Sequence, residues 1–166
     1  MHRMMLAGSV LVVLAWAAPG AHGQEPSPRH HAMTSHDSAF AAMQERGKHA
    51  MGVDQYTSTH HFDALADGGR IELVRDVDDT AGVARIRAHL REVARAFASG
   101  DFSTPAFVHM QTVPGTKVMA AKRALITYDV RDVPRGAELR IRTQDAEALR
   151  AVHEFLAFQR GEHHSH

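Results

Sequence analysis

A pattern that occurs twice restricts the fold of this chain more than any other feature. Each copy has two segments of alternating apolar and polar residues, a tight turn between them, and then a segment with helical periodicity. In the first copy, residues 57–65 and 70–76 flank the turn Ala-Asp-Gly-Gly at 66–69, a composition typical of a β-hairpin. Apolar residues then recur three or four positions apart from Val83 to Phe97, and Gly100 ends the pattern.

The second copy follows the same scheme. Residues 125–131 and 137–143 alternate around a turn at 132–136, and helical periodicity then continues from Thr143 to about residue 160. The connector 101–123 contains a short apolar run, and we expect a helical turn near 118–122. The sequence therefore predicts an α+β fold of order ββα-ββα, with a four-stranded antiparallel sheet and two main helices on one face.

The N-terminus has the composition of an export signal. An apolar stretch at 4–18 follows a short basic start, and Ala21-His22-Gly23 places small residues at the positions that signal peptidase requires. We expect residues 1–23 to be removed before Gln24, which predicts a periplasmic or secreted protein with no membrane attachment afterwards. An apolar stretch of roughly 15 residues is shorter than the ~20 that span a bilayer, although an uncleaved anchor is the alternative.

The mature chain is expected to have three parts. Residues 24–54 are rich in Pro, Ser, Thr and His and predict a flexible segment, with a short helix over 38–48. Residues 55–162 form the α+β domain, and residues 163–166 form a His-rich tail. Because 19 basic residues balance 19 acidic ones, nothing favours binding to nucleic acid. The absence of cysteine excludes disulfides, thiolate metal sites and iron–sulfur clusters.

Histidine is the residue type that carries a functional signal, with 14 copies in the chain. Imidazole is the commonest metal ligand in proteins. His60 and His61 are adjacent in a predicted strand, so their side chains point to opposite faces and a regular strand cannot bring both to one ion. We expect His60 to share the helix-covered face with Phe62 and His61 to lie on the open face. Without a bulge, one is packed and the other exposed.

Three further histidines are candidate ligands. His89 and His153 border the apolar stripes of the two predicted helices, so His60, His89 and His153 are expected to converge beneath them. Three imidazoles and a water would suit zinc or copper. His109 lies in the connector beside Met110, and His with Met favours copper. A buried structural role is the alternative for each of these histidines, and methionine commonly fills gaps in a core.

Several blocks of the chain resemble those of a family of small exported bacterial proteins. The blocks are Thr59-His60-His61-Phe62, Ile86-Arg87-Ala88-His89-Leu90, the segment at 109–115 that begins with His109, and the segment at 151–159 that contains His153; a further block covers 51–55. Members of the family often carry an automatic label of aspartate carbamoyltransferase. The resemblance implies export and emphasises His60, His61, His89, His109 and His153.

The carbamoyltransferase label does not fit this chain. That reaction requires two α/β domains and a Ser-Thr-Arg-Thr phosphate loop, and the mature chain is about half the required length and lacks the loop. The zinc protease motif is also absent, because His153-Glu154 is followed by Ala157 where that motif has its second histidine. The chain has no G-x-S-x-G nucleophile elbow and no phosphate-binding glycine loop. An acid–base role for His60, His109 or His153 is a further alternative.

The sequence thus favours an exported, non-enzymatic protein that binds copper or zinc through His60, His61, His89, His109 and His153. One alternative is an enzyme or binding domain with a histidine-lined organic pocket of roughly 300 Å3 or more. Another is an adaptor subunit, which would need an exposed apolar patch. A homodimer is a further alternative, because nothing in the sequence shows whether the sheet pairs with that of a second copy.

Overall fold

The computed structural model describes residues 35–163. The expected signal peptide, the first part of the segment 24–54 and the end of the tail lie outside the described residues. The helices are α1 (Ser35–Met51), α2 (Thr80–Ser99), α3 (Ser103–His109), α4 (Thr116–Ala121) and α5 (Ala146–Glu162), with 3-10 turns at Gln55–Thr57 and Arg123–Leu125. The strands are β1 (Ser58–Leu65), β2 (Gly68–Arg75), β3 (Ile126–Val133) and β4 (Gly136–Thr143).

The four strands form one antiparallel sheet in the order β1-β2-β4-β3, which confirms the predicted α+β fold. The pairing register places Phe62 opposite Ile71, Leu73 opposite Ala137, and Val130 opposite Leu139. These residues lie on the face that the helices cover. The alternation read from the sequence therefore assigned the buried face correctly, because a strand presents successive side chains to opposite sides.

Each of the two main helices packs on the hairpin of the other repeated half. Helix α2, which follows the first hairpin, packs mainly on β3 and β4, whereas α5, which follows the second hairpin, packs mainly on β1 and β2. Asp79 accepts a hydrogen bond from Gly82 N at the start of α2, and Asp145 accepts from Glu147 N and Ala148 N at the start of α5. Each half therefore supplies the helix that covers the other half.

Residues 35–54 differ most from expectation. Helix α1 is longer than the short helix expected over 38–48, and it contacts α2 and α3. Its residues Met43, Gln44 and Gly47 are buried. Helix α1 therefore belongs to the same compact unit as residues 55–163. Helix α3 also forms where the sequence indicated only a short apolar run, while α4 covers the expected helical turn.

The open face of the sheet is charged, as the alternation predicted. Arg70 donates to Asp63, Arg131 to Glu138, and Arg142 to Asp129 across neighbouring strands. The large apolar side chains that are exposed among the described residues lie outside the four strands, at Tyr56, Val77, Phe107, Met110 and Leu125. None of these five side chains lies on the open face of the sheet. Within residues 35–163, no helix combines the length and apolar character needed to cross a bilayer.

Candidate functional site

A small cavity between the sheet and the helices brings several histidines together. We call it the histidine cavity. Its volume is about 90 Å3, and most of its wall is apolar, with Phe62 and Leu73 from the sheet and Leu90, Val93 and Phe155 from the helices. Its polar and sulfur-containing lining comes from Met51, His60, His89, Thr104, His109, Gln159 and His163. The volume falls well short of the ~300 Å3 expected of an organic-ligand pocket.

His60 lies on the helix-covered face of β1, opposite Leu73. Its Nε2 atom is 3.4 Å from the sulfur of Met51, the last residue of α1. Its ring stacks on Phe62 with centroids 6.0 Å apart. Burial lowers the pKa of His60 from 6.5 to about 4, and repulsion from His89 and His61 adds to the effect. The imidazole is therefore neutral near pH 7 and has a lone pair available for a ligand.

His89 reaches the same cavity from α2. Burial lowers its pKa, and nearby Glu92 opposes that shift. Since His89 also contributes to the low pKa of His60, the two imidazoles are close enough that a charge on one disfavours a charge on the other. The cavity thus holds two neutral imidazoles from different elements.

His163, the residue after α5, also lines the histidine cavity. Its imidazole stacks on that of His60 with centroids 5.5 Å apart and meets that of His109 edge-on at 5.2 Å. It also lies against Phe62, with ring centroids 5.6 Å apart. The sequence placed His163 in the tail, whereas the structure places it on the cavity.

His109 borders the cavity, but its ring nitrogens are directed elsewhere. Nε2 is 3.1 Å from Gln159 Oε1, and Nδ1 is 4.0 Å from Glu162 Oε2, so both face side chains of α5. Because an amide oxygen can only accept, Nε2 carries the proton and Nδ1 has no hydrogen-bond partner. Burial lowers the pKa of His109. His109 is therefore a fixed neutral group, not a second ligand facing His60.

His153 and His61 do not reach the cavity. The Nε2 of His153 donates to the carbonyl oxygens of Leu65 and Gly68, at 2.9 and 3.1 Å, and so ties α5 to the β1–β2 hairpin. His61 lies on the open face opposite Glu72. The structure thus brings His60 and His89 to one cavity and places His153 against the hairpin carbonyls instead. The structural role for His153 is the one the hydrogen bonds support.

Two cavity residues, Met51 and His163, were absent from the predicted ligand set. Met51 was assigned to the flexible segment, and only the helical spacing that extends α1 beyond residue 48 could have indicated its position. His163 follows Gly161, which was interpreted as the end of the helix, but α5 continues through Gly161 to Glu162. Both errors concern where a helix ends, which local sequence determines weakly.

The described part of the chain contains no group of three or more His, Asp or Glu side chains placed to hold a metal ion. A mixed site remains chemically reasonable, since thioether sulfur is a ligand for soft metals and Met51 already contacts His60. Comparison with family models, curated proteins and solved structures gives no match to this chain.

Proposed function

We propose that this chain is an exported, non-enzymatic copper-binding protein that holds Cu(I) between Met51 and His60. The observation that carries the proposal is the 3.4 Å contact between Met51 Sδ and His60 Nε2 at an apolar cavity. His89 and His163 line the same cavity. Export through residues 1–23 belongs to the same proposal and would deliver the protein to the periplasm or the medium.

The contact distance suits a shared metal ion. With bonds of about 2.0 Å to nitrogen and about 2.3 Å to sulfur, atoms 3.4 Å apart subtend an angle of roughly 105° at the ion. Such an angle is close to tetrahedral. Binding would therefore need little movement of Met51 or His60, and one or two further ligands could complete the site.

The ligand chemistry favours copper in its reduced state over zinc. Thioether sulfur selects Cu(I), whereas structural zinc takes four ligands from Cys, His and carboxylates. The apolar wall formed by Phe62, Leu73 and Leu90 offers few polar groups to a hydrated ion, which disfavours the more strongly hydrated Cu(II) ion. Because the pKa of His60 is low, the imidazole is already neutral near pH 7, and copper does not have to displace a proton from an imidazolium.

Copper(I) titration of the chain with its His tail retained tests this proposal. Residues 24–166 are titrated anaerobically in competition with a chromophoric Cu(I) chelator. We expect one tightly bound Cu(I) per chain, and Met51→Leu and His60→Leu should each weaken binding by about tenfold or more, equivalent to about 1.4 kcal/mol. Elemental mass spectrometry of the exported protein identifies the ion that is bound after purification without chelators.

Matched controls separate this site from adventitious binding. Met110→Leu removes a methionine that is 70% exposed, and His61→Ala removes a histidine on the open face. Both should keep wild-type affinity. The proposal is refuted if Met51→Leu and Met110→Leu bind Cu(I) equally well, or if the only tight ion is zinc and His60→Leu retains it.

A further inference from the structure

A second cavity lies between α1 and the end of α5, beyond His109. Its volume is about 310 Å3, within the lower range of small-ligand pockets. We call it the polar cavity. Its apolar wall is formed by α1, and its polar groups come from three elements; the residues used below are Ala39, Phe40, Met43, Arg46, His109 and Glu162. This cavity is separate from the proposed Met51–His60 copper site.

Arg46 brings a positive charge to the polar cavity without an acidic partner. Its Nε donates to the carbonyl oxygen of Val108 at 2.8 Å, which fixes the guanidinium against α3. None of the ion pairs among residues 35–163 involves Arg46. Its terminal amino groups are therefore oriented and have a charge to offer an anionic group.

Glu162 brings a negative charge to the same cavity. Within the described chain it makes no ion pair with Lys or Arg, and its nearest basic atom is His109 Nδ1 at 4.0 Å. His109 is only 9% exposed, and that Nδ1 is buried with no hydrogen-bond partner. A buried acceptor without a donor is costly, and residues 35–163 supply no hydrogen-bond donor to this atom beside Glu162.

We propose that the polar cavity binds a free α-amino acid with an apolar side chain. Arg46 receives the carboxylate. Glu162 receives the ammonium group beside the His109 ring, where the two side chains approach to 4.0 Å. Ala39, Phe40 and Met43 contact the side chain of the ligand.

The arrangement of charges disfavours simpler ligands. A lone anion at Arg46 would approach the carboxylate of Glu162, and a lone cation at Glu162 would approach Arg46, so each would be repelled by the other residue. A metal ion at His109 and Glu162 would have two protein ligands and a nearby guanidinium. A zwitterion satisfies both charges together, which a single charge cannot do.

Isothermal titration calorimetry with L-leucine and two blocked analogues tests the proposal on the mature chain. Leucinamide lacks the carboxylate, and N-acetyl-L-leucine lacks the ammonium group. We expect L-leucine to bind at one site per chain and each analogue to bind at least about tenfold more weakly, the loss expected for one charge-assisted hydrogen bond. L-Methionine and L-valine extend the comparison across apolar side chains.

Variants of Arg46 and Glu162 test which residue binds the carboxylate of the ligand and which binds its ammonium group. Arg46→Gln should weaken binding of L-leucine but not that of leucinamide, and Glu162→Gln should weaken binding of L-leucine but not that of N-acetyl-L-leucine. Arg95→Gln and Glu154→Gln, which change exposed residues outside the polar cavity, should leave all affinities unchanged. Circular dichroism confirms that each variant is folded before titration.

Some outcomes overturn the proposal. If L-leucine, L-methionine and L-valine all fail to bind wild-type protein, or if N-acetyl-L-leucine binds as tightly as L-leucine, the polar cavity is not an α-amino acid site. Preferential binding of leucine-containing dipeptides over the free amino acid also overturns it. Because Met51→Leu leaves the polar cavity intact, loss of copper with retained leucine binding would separate this proposal from that for copper.

Discussion

Acid should destabilise the metal-free protein through His60 in particular. The folded state lowers the pKa of His60 from 6.5 to about 4 because burial disfavours the charged imidazolium. Between these pH values the unfolded chain binds a proton at His60 that the folded chain does not. The free energy of unfolding therefore falls as pH decreases from 6.5 towards 4, and the contribution of His60 is fully present only above 6.5.

The magnitude follows from the two pKa values. At about 1.4 kcal/mol per pKa unit, integration of the proton-binding difference gives a loss of about 2 kcal/mol between pH 7.5 and pH 5. The loss reaches about 3 kcal/mol at pH 4. His89 and His109 also have lowered pKa values, so they add to the acid sensitivity of the whole protein. Wild type and a His60 variant both contain His89 and His109. Subtracting the pH dependence of the variant from that of wild type therefore removes most of the effect of these two histidines.

Urea unfolding at pH 7.5, 6, 5 and 4, followed by circular dichroism at 222 nm in the presence of a chelator, measures the effect. The one tryptophan of the chain is Trp16, within the expected signal peptide, so fluorescence is a poor probe of the mature protein. Wild type should lose about 2 kcal/mol more than His60→Leu by pH 5. His61→Ala should lose slightly less than wild type, because repulsion from His61 is a minor cause of the low pKa of His60. Parallel curves for wild type and His60→Leu would refute the reasoning, and NMR titration of the His60 ring would locate the error.

Two substitutions should lower the free energy of unfolding by measurable amounts. Alanine at Gly69 would place its Cβ against Leu156 Cδ1, so Gly69→Ala should lower the free energy of unfolding by about 1–3 kcal/mol in urea titrations; a loss below 0.5 kcal/mol would mean that α5 can shift away. Asp145 caps α5 by accepting from two backbone N–H groups, so Asp145→Ala should cost about 1 kcal/mol. Asp145→Ser should recover most of that stability, whereas equal losses for both would contradict a capping role.

The sequence predicted the strands and the main helices because their signals are local. Alternation placed His60 and Phe62 on the covered face, and Gly100 marked the end of α2, where it has a φ of 86°. These features depend on spacing and on the conformational preference of single residues. The structure changes the boundaries of these elements by no more than three residues.

The candidate site was harder to predict because it depends on contacts between distant segments. His153 borders the apolar stripe of α5, as expected, but its ring reaches the carbonyls of the β1–β2 hairpin. Those carbonyl groups are 85 and 88 positions away in sequence. Met51 reaches His60 only because α1 continues further than its weak apolar pattern indicates. Tertiary packing determines the direction of the His153 side chain and the length of α1. The spacing of residues in the sequence carries no information about that packing.

Helix α1 links both proposed sites to the rest of the fold. Met51 at its end contacts His60, and Arg46, slightly more than one turn earlier, lines the polar cavity with Glu162. The sequence alone set the start of the domain at residue 55, a boundary that would remove both side chains while leaving the four-stranded sheet and its two main helices. The helix that looked least necessary for the fold is thus the element on which both binding proposals depend.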